Sequence, residues 1–242
     1  MYPNDHSLSC KAASYDMNPA GQLSLPALLR YYQQSAHEHA NLLDIGFKDL
    51  AQKNIYWVLS ALFVEIETLP AFDQHFDMLT WPRHIEGLLT CRDAQLVQDQ
   101  KSEAQLTSKW LMVNAANKRL VRPQELLKGV PFSADRHAVK ELPPMQLKAN
   151  YDQNPMEVRS ARFSDLDVNR HVNNTRYLEW ILDALHQTHW ANRDIKTLNL
   201  QYSREFKEHD QAHIFFMEDE NRVRIDLVHS QGKTGVACEM SF

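Results

Sequence analysis

Cysteine is scarce in this sequence: only Cys10, Cys91 and Cys238 occur, far apart and without a C-x-x-C pair. That excludes a disulfide framework and a cysteine-based zinc cluster, and leaves reduced, buried thiols as the expectation. The six glycines form neither a phosphate-cradling loop nor a dinucleotide fingerprint. No G-x-S-x-G elbow presents a nucleophilic serine and no H-E-x-x-H pair offers a zinc site, so those enzyme classes have no support. His37 and His39 fall on different faces of a helix and do not form a metal pair. No apolar run approaches the roughly 18 residues that span a bilayer, and the start, MYPNDHSLSCKAAS, lacks the basic and then apolar layout of a signal peptide. A chain that begins this way, with no transit segment, is expected to be cytoplasmic and of bacterial type. A positive excess is also missing: the net charge of -5 argues against nucleic acid as the main partner, though it allows a local basic patch.

What is present is the composition of a globular protein, 43% hydrophobic and 24% charged over 242 residues, enough for one large or two small domains. Ser7 to Tyr15 has the pattern of a short strand, and Asp16 to Gly21 is turn chemistry. Leu25, Leu28, Leu29, Tyr32, Ala36, Ala40 and Leu43 then recur at helical spacing, with Pro26 in the first turn and Gly46 past the end. From Tyr56 the period changes to two or to continuous apolar runs. YWVLSALFVEIETL, HFDMLTWP, LLTCRDAQLVQ and AQLTSKWLMVNA predict four antiparallel strands, broken at Pro70, Asp73, Pro82 with Arg83, and Asp99 to Ser102.

Asn117 to Asn150 is rich in charge and holds four of the ten prolines, which is linker material crossing the surface. The first pattern then returns. Glu157 to Phe163 is a short strand, a polar turn follows, and Tyr177, Leu178, Ile181, Leu182 and Leu185 line one face of a helix. IKTLNLQYSREF, HIFFME, RVRIDLVHS and VACEMSF supply four more strands. Asp16-Met17-Asn18 stands before the first helix as Asp167-Val168-Asn169 stands before the second, and with this pairing Ala20 lies opposite His171. The repeated order of elements predicts an internal duplication at about 150 residues.

The most informative stretch is Asp165 to Leu185, DLDVNRHVNNTRYLEWILDAL. It places Asp165, Asp167, Asn169, His171 and Asn173 at alternate positions and then becomes an amphipathic helix. Calcium is rejected, because the sixth loop position is Arg170 where glycine is needed and the twelfth is Arg176 where glutamate is needed. Helix capping accounts for one of these residues but not for five polar groups and a histidine. The chemical reading uses the same geometry: helix-start N–H groups that can hold an oxyanion, an asparagine beside a carbonyl, and a histidine that moves a proton near neutral pH.

LDVNRHVNNTRYLEWILD resembles the signature of the acyl-acyl carrier protein thioesterases, in which a D-x-N-x-H-V-N-N run precedes the long helix of the second of two fused hotdog domains. LQYSREF resembles the family's L-E-Y-R-R-E-C strand, SKWLMVNAANKRLVRP its W-V-M-M-N segment, and YWVLSALFVEIETLP its first central strand. The similarity covers most of residues 8 to 242. It implies an α+β fold of two hotdog domains, each a long helix packed on an antiparallel β-sheet, at residues 1–130 and 153–242 with a linker at 131–152. It also implies hydrolysis of fatty acyl-acyl carrier protein without cofactor or metal. Asp167, Asn169, His171 and Glu205 take the catalytic positions. The cysteine that follows the family's glutamate is Phe206 here, so a Cys-His mechanism is not available there and direct water attack is favoured. The division of labour between Glu205 and His171 stays open, and a surface ion-paired role is the plain alternative for Glu205.

Arg159, Arg162, Arg170 and Arg176 gather around the turn in an otherwise acidic chain. Each alone is a solvated charge; together they could meet an acidic carrier protein or the phosphate of its pantetheine arm. The first domain lacks the histidine, so its expected role is to shape the acyl tunnel, with Trp57, Leu59, Leu62 and Trp110 as lining or plain core. An acyl-coenzyme A thioesterase and a non-catalytic acyl-binding module remain the alternatives, and a homodimer is open.

Overall fold

Leu25 to Leu42 form the long helix α1 in a computed structural model that describes residues 3–140 and 142–242. Met1 and Tyr2, at the start expected to lack a signal segment, and Glu141, in the expected linker, lie outside the described residues. Ser24 caps α1 by accepting the Ala27 N–H at 3.3 Å, and Pro26 sits in the first turn, where its missing N–H costs nothing. Leu25, Leu28, Leu29, Tyr32 and Ala36 are buried along the expected apolar face. His39, expected to break that face, is fully buried as well.

The chain divides into two units, Met1–Leu142 and Pro143–Phe242. In the first, β1 (His6–Lys11), β2 (Ile55–Ile66), β3 (His75–Glu86), β4 (Leu89–Gln98) and β5 (Lys101–Asn114) make an antiparallel sheet in the order β1-β3-β4-β5-β2, and α1 packs on β1 and β3. Several expected strand limits change: β2 ends at Ile66, before the run YWVLSALFVEIETL does, and β5 begins at Lys101, within the break expected at Asp99 to Ser102. β1 stops at Lys11, because Ser14–Asp16 turns as a 3-10 segment, and β3 continues through Pro82 and Arg83 to Glu86. Proline survives inside β3 because the ladder to β4 shifts register between Pro82 and His84, a bulge that tolerates a missing donor. A short helix α2 (Phe47–Ala51) was not legible in the sequence.

The expected linker is more structured than its composition predicts. β6 (Leu120–Val121) pairs with β5, and after α3 (Pro123–Leu126) Leu127 and Val130 are buried with Leu43, Ile45, Leu50, Ile55 and Met112. Residues 133–139 are strapped to the first unit. Buried Asp93 accepts the Ala138 N–H at 2.9 Å and pairs with buried Arg83 at 3.2 Å, while Arg83 also donates to the Val139 carbonyl at 3.1 Å. Residues 143–151 are strapped to the second unit in the same manner, Glu239 accepting the N–H groups of Gln146 and Leu147 and Arg224 donating to the Leu147 carbonyl.

The second unit holds β7 (Glu157–Ser160), α4 (Asn174–His186), β8 (Thr197–Tyr202), β9 (Gln211–Glu218), β10 (Arg222–His229) and β11 (Thr234–Ser241). Its antiparallel order is β8-β11-β10-β9-β7, with α4 packed on β10. Tyr177, Leu178, Ile181, Ala184 and Leu185 bury the inward face of α4. β7 is shorter than expected because Phe163–Asp165 forms a second 3-10 turn. No helix among the described residues is long and apolar enough to cross a membrane.

Candidate active site

The Asp165 to Asn173 run folds into a closed polar turn that delivers the chain to α4. Asp165 Oδ2 accepts the Arg162 N–H at 2.8 Å and its carbonyl accepts the Asn173 N–H at 2.9 Å, so both ends of the turn are tied to one residue. Within it, Asp167 Oδ1 accepts the N–H groups of Asn169 at 2.8 Å and His171 at 3.3 Å. The Asp167 N–H donates to the His171 carbonyl at 2.8 Å, and Arg170 takes a left-handed φ of 62° to close the loop. Asp167 is therefore the residue that shapes the turn, through an Asx arrangement open to Asp and Asn.

Asn173 caps α4, its Oδ1 accepting from the Thr175 N–H and the Thr175 hydroxyl, each at 2.9 Å. The Arg176 N–H goes to the Asn173 carbonyl. The cap takes up two of the helix-start donors that the sequence offers as an oxyanion site, the Thr175 and Arg176 N–H groups, while Asn169 stands exposed on the turn.

Glu205 reaches this turn from the chain that leaves β8. The sequence placed it on a strand, but β8 ends at Tyr202 and Glu205 sits in the connection that follows. The reason is local: the Ser203 and Arg204 N–H groups both donate to the Gly235 carbonyl, at 2.8 and 3.0 Å, which bends the chain away from the ladder. His171 forms an isolated bridge with Lys207, and Val172 N–H donates to the Phe206 carbonyl at 2.8 Å. These bonds bring His171 Nδ1 to 3.0 Å from Glu205 Oε2, with the histidine mostly buried and the glutamate open to water, at 19% and 44% side-chain exposure. The carboxylate thus faces the Nδ1 side of the imidazole and leaves Nε2 on the other side of the ring, an arrangement in which a histidine can take up a proton.

Phe206 is fully buried and stacks on His229, ring centroids 3.8 Å apart. Its N–H donates to the Tyr177 hydroxyl at 2.9 Å. Burial holds the Tyr177 phenol well above its ordinary pKa, and the Glu205 and Asp167 charges push the same way, so it stays protonated.

The four arginines are not equivalent. Arg159 pairs with Asp183 at 2.7 Å and Arg176 pairs with Glu179, so both are matched by acids on α4. Arg162 and Arg170 are exposed. Trp57 belongs to the first unit, where its Nε1 donates to the Ile45 carbonyl at 3.0 Å and its ring packs on the Leu43 and Met112 cluster. One group of metal-type donors occurs among the described residues: His84, Glu86 and Cys91, their donor atoms within 4.8 Å of one another. Arg83 donates to His84 Nδ1 and Lys109 pairs with Glu86, so two of the three donors already face cations.

The first unit contains the same turn, which corrects the pairing made from sequence. Asn18 Oδ1 accepts the N–H groups of Ala20 and Gln22, each at 3.0 Å, as Asp167 does those of Asn169 and His171. Asn18 N–H donates to the Gln22 carbonyl, and Gly21, at φ 77°, occupies the place of Arg170. Asn18 therefore matches Asp167, and Asp16 matches Asp165; Ala20 stands opposite Asn169 and Gln22 opposite His171. The three-residue D-x-N match misled by two positions because Asp and Asn are interchangeable at the Asx residue. Leu23 N–H donates to the Pro70 carbonyl as Val172 does to Phe206, so Leu69 and Pro70 stand opposite Glu205 and Phe206.

Comparison with known proteins agrees with this division. The acyl-ACP thioesterase N-terminal domain family matches residues 4–129 and the acyl-ACP thioesterase C-terminal domain family residues 147–241. The chain is 30% identical over 206 residues to the chloroplastic palmitoyl-acyl carrier protein thioesterase of Arabidopsis thaliana, covering 79% of this chain and 50% of that protein. It is 29% identical over 209 residues to the chloroplastic dodecanoyl-[acyl-carrier-protein] hydrolase of Cinnamomum camphora, covering 79% and 54%. The chain thus spans about half the length of the curated relatives it matches. Among solved structures, an acyl-ACP thioesterase from Bacteroides thetaiotaomicron superposes with a TM-score of 0.88 at 24% identity, over 99% of this chain and 98% of that one. The 12:0-ACP thioesterase of Umbellularia californica gives 0.86 at 19% identity, over 100% and 98%. These two likenesses establish the fold as a pair of hotdog units, and the two domain matches establish that the chain belongs to the acyl-ACP thioesterase family.

Proposed function

We propose that this chain is a cytoplasmic thioesterase that hydrolyses fatty acyl-acyl carrier protein, with the catalytic residues Asp167, Asn169, His171 and Glu205 all in the second unit. The observation that carries the reading is the His171–Glu205 pair, 3.0 Å apart on a turn whose backbone Asp167 fixes. In the first step the pair takes a proton from water through His171 Nε2 while the hydroxide oxygen bonds to the thioester carbon. Glu205 holds the Nδ1 proton and stabilises the imidazolium. The Asn169 amide donates to the carbonyl oxygen as it becomes an oxyanion. Collapse of the tetrahedral intermediate breaks the carbon–sulfur bond, and the thiolate leaves with the proton held by His171. Phe206 has no nucleophilic atom, so no acyl-enzyme forms at that position.

The first unit, with Ala20 and Gln22 on its turn, supplies apolar interior for the acyl chain, Trp57 included. Arg162 and Arg170, exposed beside the turn, meet the acidic carrier protein, whereas Arg159 and Arg176 are already matched by α4 carboxylates.

Purified Asn169→Ala, His171→Ala and Glu205→Gln proteins are each expected to lose about 10²- to 10⁴-fold in kcat on acyl carrier protein thioesters. Full turnover by all three overturns the assignment. Reversing Arg162 and Arg170 to glutamate is expected to raise KM for the carrier-bound substrate about tenfold and to leave a short pantetheine thioester within about twofold. Equal effects on the two substrates exclude the docking role, and parallel assays with matched acyl-coenzyme A separate the carrier-specific reading from a coenzyme A thioesterase.

A further inference from the structure

Glu205 occupies a connection with no ladder bonds of its own, yet its partner His171 lies on a closed turn, so something outside both must fix the distance between them. The segment Ser203 to Phe206 is held on three sides. From β11's start, the Gly235 carbonyl accepts the Ser203 and Arg204 N–H groups. From α4, the Tyr177 hydroxyl accepts the Phe206 N–H at 2.9 Å. From the end of β10, the His229 ring lies parallel to the Phe206 ring, 7° between planes, at 3.8 Å. Gly235 permits this packing, because a Cβ there would stand 2.2 Å from Phe206 Cε2.

The first unit serves as an internal control. Its matching connection, Glu67 to Pro70, has the same backbone anchor, the Glu67 and Thr68 N–H groups both donating to the Glu103 carbonyl. Everything else in the clamp is missing. Pro70 stands where Phe206 stands and has no N–H to be accepted, Leu28 stands where Tyr177 stands and has no acceptor, and Glu103 stands where Gly235 stands. The unit without histidine and glutamate on its turn therefore also lacks the hydroxyl, the aromatic ring and the glycine. Tyr177 and Phe206 are matched to each other: the amide needs an acceptor once proline is absent, and the buried hydroxyl is the only side-chain acceptor that the described residues give it.

We propose that Tyr177, Phe206 and His229 are positioning residues that hold Glu205 against His171. The inference rests on the proposed role of Glu205. Tyr177 acts through the peptide N–H that immediately follows Glu205, and His229 acts by capping the Phe206 ring. Neither needs to touch substrate.

The test uses the full-length protein on an acyl carrier protein thioester, with kcat and KM resolved for Tyr177→Phe, His229→Ala and His229→Phe, each alone and combined with Glu205→Gln. Tyr177→Phe keeps the ring and loses the acceptor; His229→Phe keeps the stack and loses the imidazole. Expected are a drop of about tenfold in kcat with KM within about twofold for Tyr177→Phe and His229→Ala, and for His229→Phe, which keeps the stack but loses the imidazole's bond to the Arg204 backbone, a kcat clearly above that of His229→Ala. In the Glu205→Gln background the same substitutions are expected to change residual kcat by less than about twofold, since the group they position is gone. Wild-type kcat in Tyr177→Phe and His229→Ala, or equal losses in both backgrounds, overturns the clamp while leaving the site intact. A Glu205→Gln protein that turns over at the parent rate overturns instead the role of Glu205 itself.

Discussion

At His39, buried on α1, Arg92 Nη1 lies 3.1 Å from Nδ1 and the Pro3 carbonyl lies 3.1 Å from Nε2. A guanidinium can only donate, so Nδ1 must carry a lone pair and the ring must be neutral with its proton on Nε2. Burial, and then the Arg92 charge, lower the His39 pKa to about 4. The folded value lies below the unfolded one of about 6.5, so the stability this neutral ring confers is present above pH 6.5 and is lost as pH falls toward 4. Urea unfolding followed from pH 7 to 4 is expected to show a loss on the order of 3 kcal/mol that His39→Gln, which can accept and donate at the same two places, largely removes. Gly235 is a second single-residue constraint. Gly235→Ala drives a methyl into Phe206 Cε2 and is expected to destabilise the second unit by about 1–3 kcal/mol, read as a lower urea midpoint. The histidine on the second turn, proposed to be catalytic, stands out in the sequence because five polar side chains in alternation exceed what a cap needs. His39 does not, because one histidine among helical apolar positions looks like an interruption until Arg92 is seen opposite it.

Elements with strong periods were readable, and the contacts that fasten one element to another were not. α1 and α4 follow from their apolar stripes and the four-strand runs after each, and α1 also from Pro26 and Gly46 at its ends. The sequence pattern ends β3 at Pro82 because a bulge cannot be read from composition, and it extends β8 to Glu205 because L-Q-Y-S-R-E-F alternates as a strand does. The segment 131–152 looked like a solvated linker from its prolines and charges. What ties it down are charges inside strands, Arg83 and Asp93 in the first unit and Arg224 with Glu239 in the second. Asp93 is completely buried and accepts from Arg83, Thr107 and Ala138 at once. Asp93→Ala leaves a buried guanidinium unpaired and removes the acceptor of the strap's own amide. The expected cost is about 3–5 kcal/mol, accompanied by faster proteolytic cleavage within residues 133–140.

On the scale of the whole chain, the duplication explains why one turn is proposed to work and the other to serve as scaffold. Asn18 and Asp167 build the same backbone with the same pair of accepted N–H groups, so the fold of the turn is indifferent to which unit carries the chemistry. The difference lies in what each turn presents, Ala20, Gln22 and Leu69 against Asn169, His171 and Glu205, and in what stands behind it, Leu28 and Pro70 against Tyr177 and Phe206. If side chains on the turn were sufficient, Ala20→Asn, Gln22→His and Leu69→Glu would transplant the site. With His171→Ala and Glu205→Gln silencing the second unit, that triple substitution is expected to restore no thioester hydrolysis. The introduced glutamate would precede a proline whose ring offers no N–H for a helix hydroxyl to hold, and Leu28 provides no hydroxyl. Its carboxylate would remain a solvated surface charge, as exposed glutamates usually are, with no fixed distance to the new imidazole. Turnover above that of the silenced parent, measured as free acid released from acyl carrier protein, would mean that the turn alone is enough and that the supporting residues of the second unit are incidental.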